Sequence, residues 1–321
     1  MKSYLKIIPY LICILFASCA SDDSRPAQTP RQVNVALTVT LPEPENVHSL
    51  ARSYTDSEIR NVDVLVFDED GKFMERVKVD GGELTPSGTE ISFSIRLDAT
   101  SKRRVIHLVT NGRTPDGVTD RLNFGDVTPA MLESVAMLAL KTSTFTGTLV
   151  DNVMPLIMWG RVELPTGINI VTNADNVKLL RAVACVQVKK GAVDATNGLN
   201  DFTVQSITVN KGADCGYLTP TNYSTTVTPV TGRPLSGSTL NYANGWSDGE
   251  TPSLYIYERN CTSGDYMGVI IKAMYKGKEG YYKVVMVDNG GTPLNVVRNH
   301  RYIITVVSVN GPGYASVTDA I

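Results

Sequence analysis

The chain has 321 residues, 30 Lys+Arg against 32 Asp+Glu, and a formal net charge of −2. At about 150 residues per domain this length predicts two domains, each able to bury a core without disulfides. The near-neutral charge leaves no basic footprint for nucleic acid or an anionic membrane surface, and 42% hydrophobic with 19% charged residues excludes wholesale disorder.

Residues 1–18 read as a signal peptide: Lys2 and Lys6 supply the positive start, and Ile7–Phe16 the short apolar run. That run is well below the roughly 20 residues a spanning helix needs. It ends in Phe16-Ala17-Ser18-Cys19, which resembles a lipobox, with Phe16 departing from the usual aliphatic residue. Small side chains fit the peptidase pocket, and the Cys19 thiol then carries lipid. A plain secretory signal cut elsewhere is the alternative. Each acyl CH₂ buried in the bilayer contributes about 0.8 kcal/mol, so several chains on Cys19 would anchor the protein at the outer membrane. Ser21-Asp22-Asp23 looks like the surface-export signal of Bacteroidota lipoproteins, against a bland acidic linker facing the periplasm. Residues 19–31 are a polar tether with two prolines.

The 37 Val and 32 Thr of the chain favour strands, because β-branched side chains suit the pleated surface. Val33, Val35, Leu37, Val39 and Leu41 alternate with Asn34, Ala36, Thr38 and Thr40, the signature of a strand with one buried face. Pro42 and Pro44 end it. A polar stretch containing Arg52 and Ser53 follows. Strands are predicted at Val62–Phe67, Phe73–Val79, Ile91–Leu97 and Val105–Thr110. Asp68-Glu69-Asp70-Gly71 invites comparison with calcium loops, but the rest of the twelve-residue pattern is missing, and a hairpin turn with positive φ at Gly71 accounts for it better. One helix is predicted over Pro129–Lys141, with Thr128 as N-cap and Met131, Val135 and Leu138 on its apolar face.

Further strands are predicted at Val153–Val162, Lys178–Val188, Phe202–Asn210, Ser253–Tyr257, Gly268–Tyr275, Gly280–Val287 and Arg301–Asn310. Residues 219–251 read as long loops. The polar stretch 165–176 is the expected boundary between an N-terminal β-sandwich, 32–174, and a C-terminal one, 175–321. The fold class is therefore all-β, with two sandwiches and a short helical region in the first. No fixed-period repeat is evident.

Catalytic signatures are missing. There is no His-Glu-x-x-His, Gly-x-Ser-x-Gly, Cys-x-x-Cys or Gly-x-Gly-x-x-Gly, so no enzyme activity, metal site or cofactor is expected. His48, His107 and His300 are widely spaced, and His107, within a strand, reads as a packing residue. Cys185, Cys215 and Cys261 are an odd set of three, with Cys185 a buried small hydrophobe in its apolar strand.

Four segments in order resemble the fimbrillin family, the subunits of Bacteroidota type V pili. They are Asn61–Gly71; Met154-Pro155 with Gly160; Leu180-Arg181-Ala182-Val183-Ala184; and Val297–Tyr302 followed by Gly311-Pro312-Gly313. The likeness spans about residues 32–314. It implies two transthyretin-like β-sandwiches and assembly by strand exchange. A lipidated precursor reaches the surface, an arginine-specific protease cuts in the loop behind the first strand, and a neighbouring subunit's strand replaces it. On that pattern Val33, Val35, Leu37, Val39 and Leu41 belong to the displaced strand. Arg52 is the cleavage residue and Ser53 the new N-terminus, with Arg60 the runner-up. The partners implied are other fimbrial subunits, the protease, the outer membrane through Cys19, and a host protein or glycan. Tyr314–Ile321 is too short and too weakly patterned for a donor strand, which favours a tip or accessory subunit over a stalk subunit or an uncleaved anchor. The competing expectation is a monomeric surface lipoprotein that keeps its first strand and binds glycan or protein through the 219–251 loops, with Tyr223, Tyr242 and Trp246 as stacking residues.

Overall fold

The computed structural model describes residues 31–42, 58–142, 155–213, 215–226, 239–241 and 247–321. Its first strand, β1 (Gln32–Thr40), runs antiparallel to β5 (Glu90–Asp98) and parallel to β8 (Asn173–Lys178). With the short β4 (Thr85–Ser87) they form a sheet in the order β4-β5-β1-β8. Facing it is a second sheet, β3-β2-β6-β7-β9, built from β2 (Asn61–Phe67), β3 (Phe73–Asp80), β6 (Arg104–Thr110), β7 (Met158–Leu164) and β9 (Leu180–Arg181). Between the sheets lies a core that includes Val35, Leu37, Val64, Phe93, Ile95, Leu108 and Met158.

The second sheet is covered on both faces, and this explains why β2 and β6 are buried at every position. Val62, Val64 and Val66 face the first core. Leu65 and Phe67 face a second cluster with Trp159, Phe124, Met137, Leu140, Leu218 and Val297. Asp63 lies on that second face, fully buried, and takes Arg76 at 2.9 Å and Arg113 at 3.2 Å. Burial raises the Asp63 carboxyl pKa, against the opposing pull of the two guanidinium groups.

The following half contains a three-stranded sheet, β14-β10-β17, and a larger one with β12-β11-β15-β16 plus β13 on β11. The strands are β10 (Ala184–Lys190), β11 (Phe202–Ala213), β12 (Thr239–Asn241), β13 (Ser247–Asp248), β14 (Ser253–Ile256), β15 (Gly268–Tyr275), β16 (Lys278–Val285) and β17 (Arg301–Val306). Val186, Val188, Phe202, Ile207, Val269 and Ile271 fill their shared core.

The two sandwiches repeat one pairing scheme, which no sequence period reveals. β10 runs antiparallel to β14 and parallel to β17, as β1 runs antiparallel to β5 and parallel to β8. Beyond the sheet edge, Tyr314 bridges Tyr281 of β16 as Arg181 of β9 pairs Met158 of β7. β10 is thus the counterpart of β1, continuous with the chain on both sides.

Three expectations change. The helix α1 covers only Glu133–Ala139, with Leu132 as N-cap. Residues 130–133 are diverted onto the β2–β3 turn instead: Phe73 N–H donates to Met131 O, Ala130 N–H to Phe73 O, and Glu133 N–H to Gly71 O. Ala130 takes a left-handed φ of 65°, which a helix starting at Thr128 could not contain. The buried face is Ala136, Met137 and Leu140, while Val135 and Leu138 are exposed.

Second, the strand expected over Lys178–Val188 divides among three sheets. β8 ends at Lys178, β9 pairs with β7, and β10 opens the second sandwich. Its near-continuous burial reflects successive insertion into different cores, and strands pairing with the first sandwich extend past residue 174. Gly160 permits the crossing, since a Cβ there would meet Lys178 O at 3.0 Å and Val177 Cγ1 at 3.0 Å. Third, β7 begins at Met158. The carbonyls of Pro155 and Leu156 are taken by the side chains of Arg121 and Asn111, so this segment is buried without being a strand.

Candidate functional site

β1 is central in its sheet and bonded along both edges. Its register with β5 is unbroken from Gln32↔Asp98 to Thr40↔Glu90, and on the other side it meets β8 from Ala36↔Asn173 to Thr40↔Lys178 with one irregularity. Thr38 Oγ1 also meets Ser92 Oγ at 3.1 Å. Side chains alternate as the sequence predicts: Val33, Val35, Leu37, Val39 and Leu41 are buried, the middle three completely. The outward residues Gln32, Asn34 and Ala36 are exposed. Burying five such side chains contributes roughly 1.5–3 kcal/mol each, on the order of 10 kcal/mol together, comparable with the whole stability of a domain. Without β1, β5 and β8 would each present an unpaired edge along an apolar trough, the geometry that accepts an added strand.

Past β1 the ladder changes donors. Leu41 N–H donates to Thr89 O, and Thr40 O accepts from Leu179 N–H. Two residues on, the buried guanidinium of Arg181 donates from Nη1 to Pro42 O at 2.9 Å and to Asn299 Oδ1 at 3.1 Å. Two of the sequence segments that carry the family resemblance therefore meet at the end of the first strand. Sequence reading missed this role for Arg181. Its only signal was a charged residue inside the apolar run Leu179–Val186.

Next to Asn299, Arg298 is 1% exposed and pairs with the 3% exposed Glu258 at 2.7 Å. It also donates to Leu218 O at 2.6 Å and Tyr217 O at 3.0 Å. Tyr302 donates its hydroxyl to Asn295 O and accepts from Val297 N–H, and burial pushes its pKa up to about 12. The Val297–Tyr302 segment is thus structural, pinning loops to the sandwich.

Cys19, Arg52 and Ser53 lie outside the described residues, as do Met154, Tyr242 and Trp246. Arg60 precedes β2 and pairs with Glu58 on the surface. Asp68 spends its carboxylate on the backbone N–H groups of Asp70 and Lys72, and Gly71 takes a φ of 74°, as a hairpin turn requires. His107 is fully buried between Trp159 and Glu133. Tyr223 packs edge-on to His107, with their ring centroids 5.4 Å apart, and the Arg161 guanidinium lies 5.3 Å from its ring. That packing makes Tyr223 part of the fold and a poor platform for a sugar. Among the described residues, no group of three or more His, Cys, Asp or Glu is arranged to hold a metal ion, and no helix is long and apolar enough to cross a membrane.

The part of the chain that carries β1 and the Arg181–Asn299 junction is matched in sequence by a known group. Residues 25–314 match the fimbrillin-A associated anchor proteins Mfa1 and Mfa2. The chain belongs to this family. Among curated proteins it is 25% identical over 336 aligned residues to the major fimbrium tip subunit FimE of Porphyromonas gingivalis; the alignment covers 100% of this chain and 56% of that protein. The chain thus spans about half the length of that relative. Among solved structures, a fimbrial assembly protein from Parabacteroides distasonis superposes with a TM-score of 0.56 at 16% identity, covering 86% of this chain and 91% of that one. The tip fimbrial protein Mfa3 from Porphyromonas gingivalis superposes with a TM-score of 0.53 at 14% identity, covering 87% and 96%. These structures share the β-sandwich fold. The family is one of fimbrial and adhesion proteins.

Proposed function

We propose that the chain is a non-enzymatic pilus subunit, exported as a lipoprotein on Cys19, that assembles when a protease cuts at Arg52 and another subunit's strand replaces β1. The observation that carries this reading is the seating of β1. It is an interior strand of its sheet, yet it is the first of the described strands, and residues 43–57 are its only covalent link to the rest of the sandwich. One cut there converts an integral strand into a bound peptide. β10, its counterpart, is tied at both ends and could not leave after one cut. A tip or accessory position is the reading we favour, supported by the likeness to FimE, itself a tip subunit. The partners are then further fimbrial subunits, an arginine-specific protease, the outer membrane and a host protein or glycan.

Limited digestion of the lipid-free chain with an arginine-specific protease, followed by intact mass and size exclusion, tests this. A rapid cut at Arg52 should leave β1 bound until a donor-strand peptide or partner subunit is added, and then release it. Resistance at Arg52, or a nicked chain that keeps β1 in the presence of competent subunits, would point to an uncleaved anchor or a standalone binding lipoprotein.

A further inference from the structure

The Arg181 side chain stands at one end of the β1 trough. Along the β8 side, the first strand offers its carbonyls at alternate residues. Thr40 O is met by the backbone N–H of Leu179, as in any parallel ladder. The next carbonyl on that side belongs to Pro42. There the backbone has already left the sheet, because Leu180 and Arg181 pair with Trp159 and Met158 on the opposite sheet. The Arg181 side chain takes over as donor, with Nη1 2.9 Å from Pro42 O.

Two features strengthen this contact. Arg181 is 6% exposed, so water is a poor substitute for the carbonyl. Its backbone is held in the second sheet and its Nη1 also donates to Asn299 Oδ1 at 3.1 Å, so the donor is aimed before any strand arrives. Asn299 itself is fixed through Asn299 N–H donating to Val183 O. A side chain reaching from one sheet to the exit of a strand in the other marks one end of the trough.

We infer that Arg181, oriented by Asn299, fastens the exit end of whichever strand occupies the trough. It does so by donating to a backbone carbonyl two residues beyond the position now held by Thr40, a group that a strand ending earlier lacks. This rests on the strand-exchange reading for its biological use, but the contact can be tested without it.

The test uses the full, lipid-free chain with a protease site placed within residues 43–57, so that nicking does not depend on Arg52. Two peptide amides are exchanged into the nicked protein: Gln32–Pro42, which has the Pro42 carbonyl, and Gln32–Leu41, which lacks it. The longer peptide should dissociate about tenfold more slowly from the wild-type protein, and Arg181→Met should remove most of that preference. Arg181→Lys, which retains charge and one donor, should keep part of it. An equal preference in wild type and Arg181→Met would overturn the inference while leaving strand exchange intact. If neither peptide enters the trough, strand exchange fails, and the second measurement decides the contact by itself. In the uncut chain, Arg181→Met should speed amide hydrogen exchange in β1 about tenfold with β2 unchanged. Equal acceleration in both strands would show a merely structural arginine and overturn the inference.

Discussion

Trp159 donates its indole Nε1–H to Nδ1 of His107 at 2.9 Å. Nδ1 must therefore be the unprotonated nitrogen, and the ring proton sits on Nε2, aimed at Glu133 Oε1 2.8 Å away. Glu133 also accepts from Arg161 at 2.7 Å. Burial lowers the His107 pKa, outweighing the raising effect of Glu133. For Glu133, burial works to raise the carboxyl, but His107 and Arg161 outweigh it and hold the pKa down at about 2.

This arrangement predicts an acid-sensitive first sandwich. His107 is neutral when folded and binds a proton near pH 6.5 when unfolded. Its contribution to stability is full above that value and declines as pH falls below it. The Glu133 contribution is full above its unfolded value near 4.5 and declines as pH falls toward about 2. Denaturant midpoints measured from about pH 8 to about pH 2 should fall across both windows. His107→Leu should flatten the decline that begins below about 6.5 and cost about 1–3 kcal/mol at pH 8, because Trp159 and Glu133 each lose a partner.

Leu37 occupies the middle of β1, completely buried. Leu37→Ala should destabilise the uncut chain by about 2–5 kcal/mol, measured by chemical unfolding. In the nicked chain the same substitution should release the first strand faster without a donor present. Thr38→Ala, on the outward row, should have a much smaller effect on both.

Arg298 and Glu258 form a buried pair whose arginine also satisfies two backbone carbonyls. Removing either partner leaves a buried charge without its counterpart, so Arg298→Met or Glu258→Gln should each cost about 3–5 kcal/mol. The double variant should cost less than the sum of the two, which thermal or chemical unfolding of all four chains would read as a coupling energy.

Gly160 lies beneath the crossing of Val177–Leu179 between sheets. Gly160→Val should force that crossing outward and cost about 1–3 kcal/mol in unfolding free energy. Because the same segment flanks β1, it should also speed hydrogen exchange in β1 more than in β15.

The first strand was legible because its two faces meet different media. Val33 through Leu41 alternate between core and water, and such alternation survives in the sequence. The helix was misread because Met131, Val135 and Leu138 form a plausible apolar stripe, while hydrogen bonds from 130–133 to the β2–β3 turn decide where the helix begins. Lys178–Val188 was read as one strand because burial in three successive environments looks the same as burial in one. The repeated topology left no trace either, because pairing order depends on backbone geometry that many sequences satisfy.

By itself the sequence determined the β-rich class, the buried face of β1, the hairpin turn at Gly71 and the kinship carried by its scattered motifs. Each of these depends on local propensity, on periodicity along one element, or on residues shared with relatives. Only the tertiary structure decided that β1 lies between β5 and β8, that Arg181 reaches Pro42, and that His107 is held between Trp159 and Glu133. Those contacts join residues far apart in the chain, and their chemistry exists only where folding brings a desolvated donor and acceptor into line.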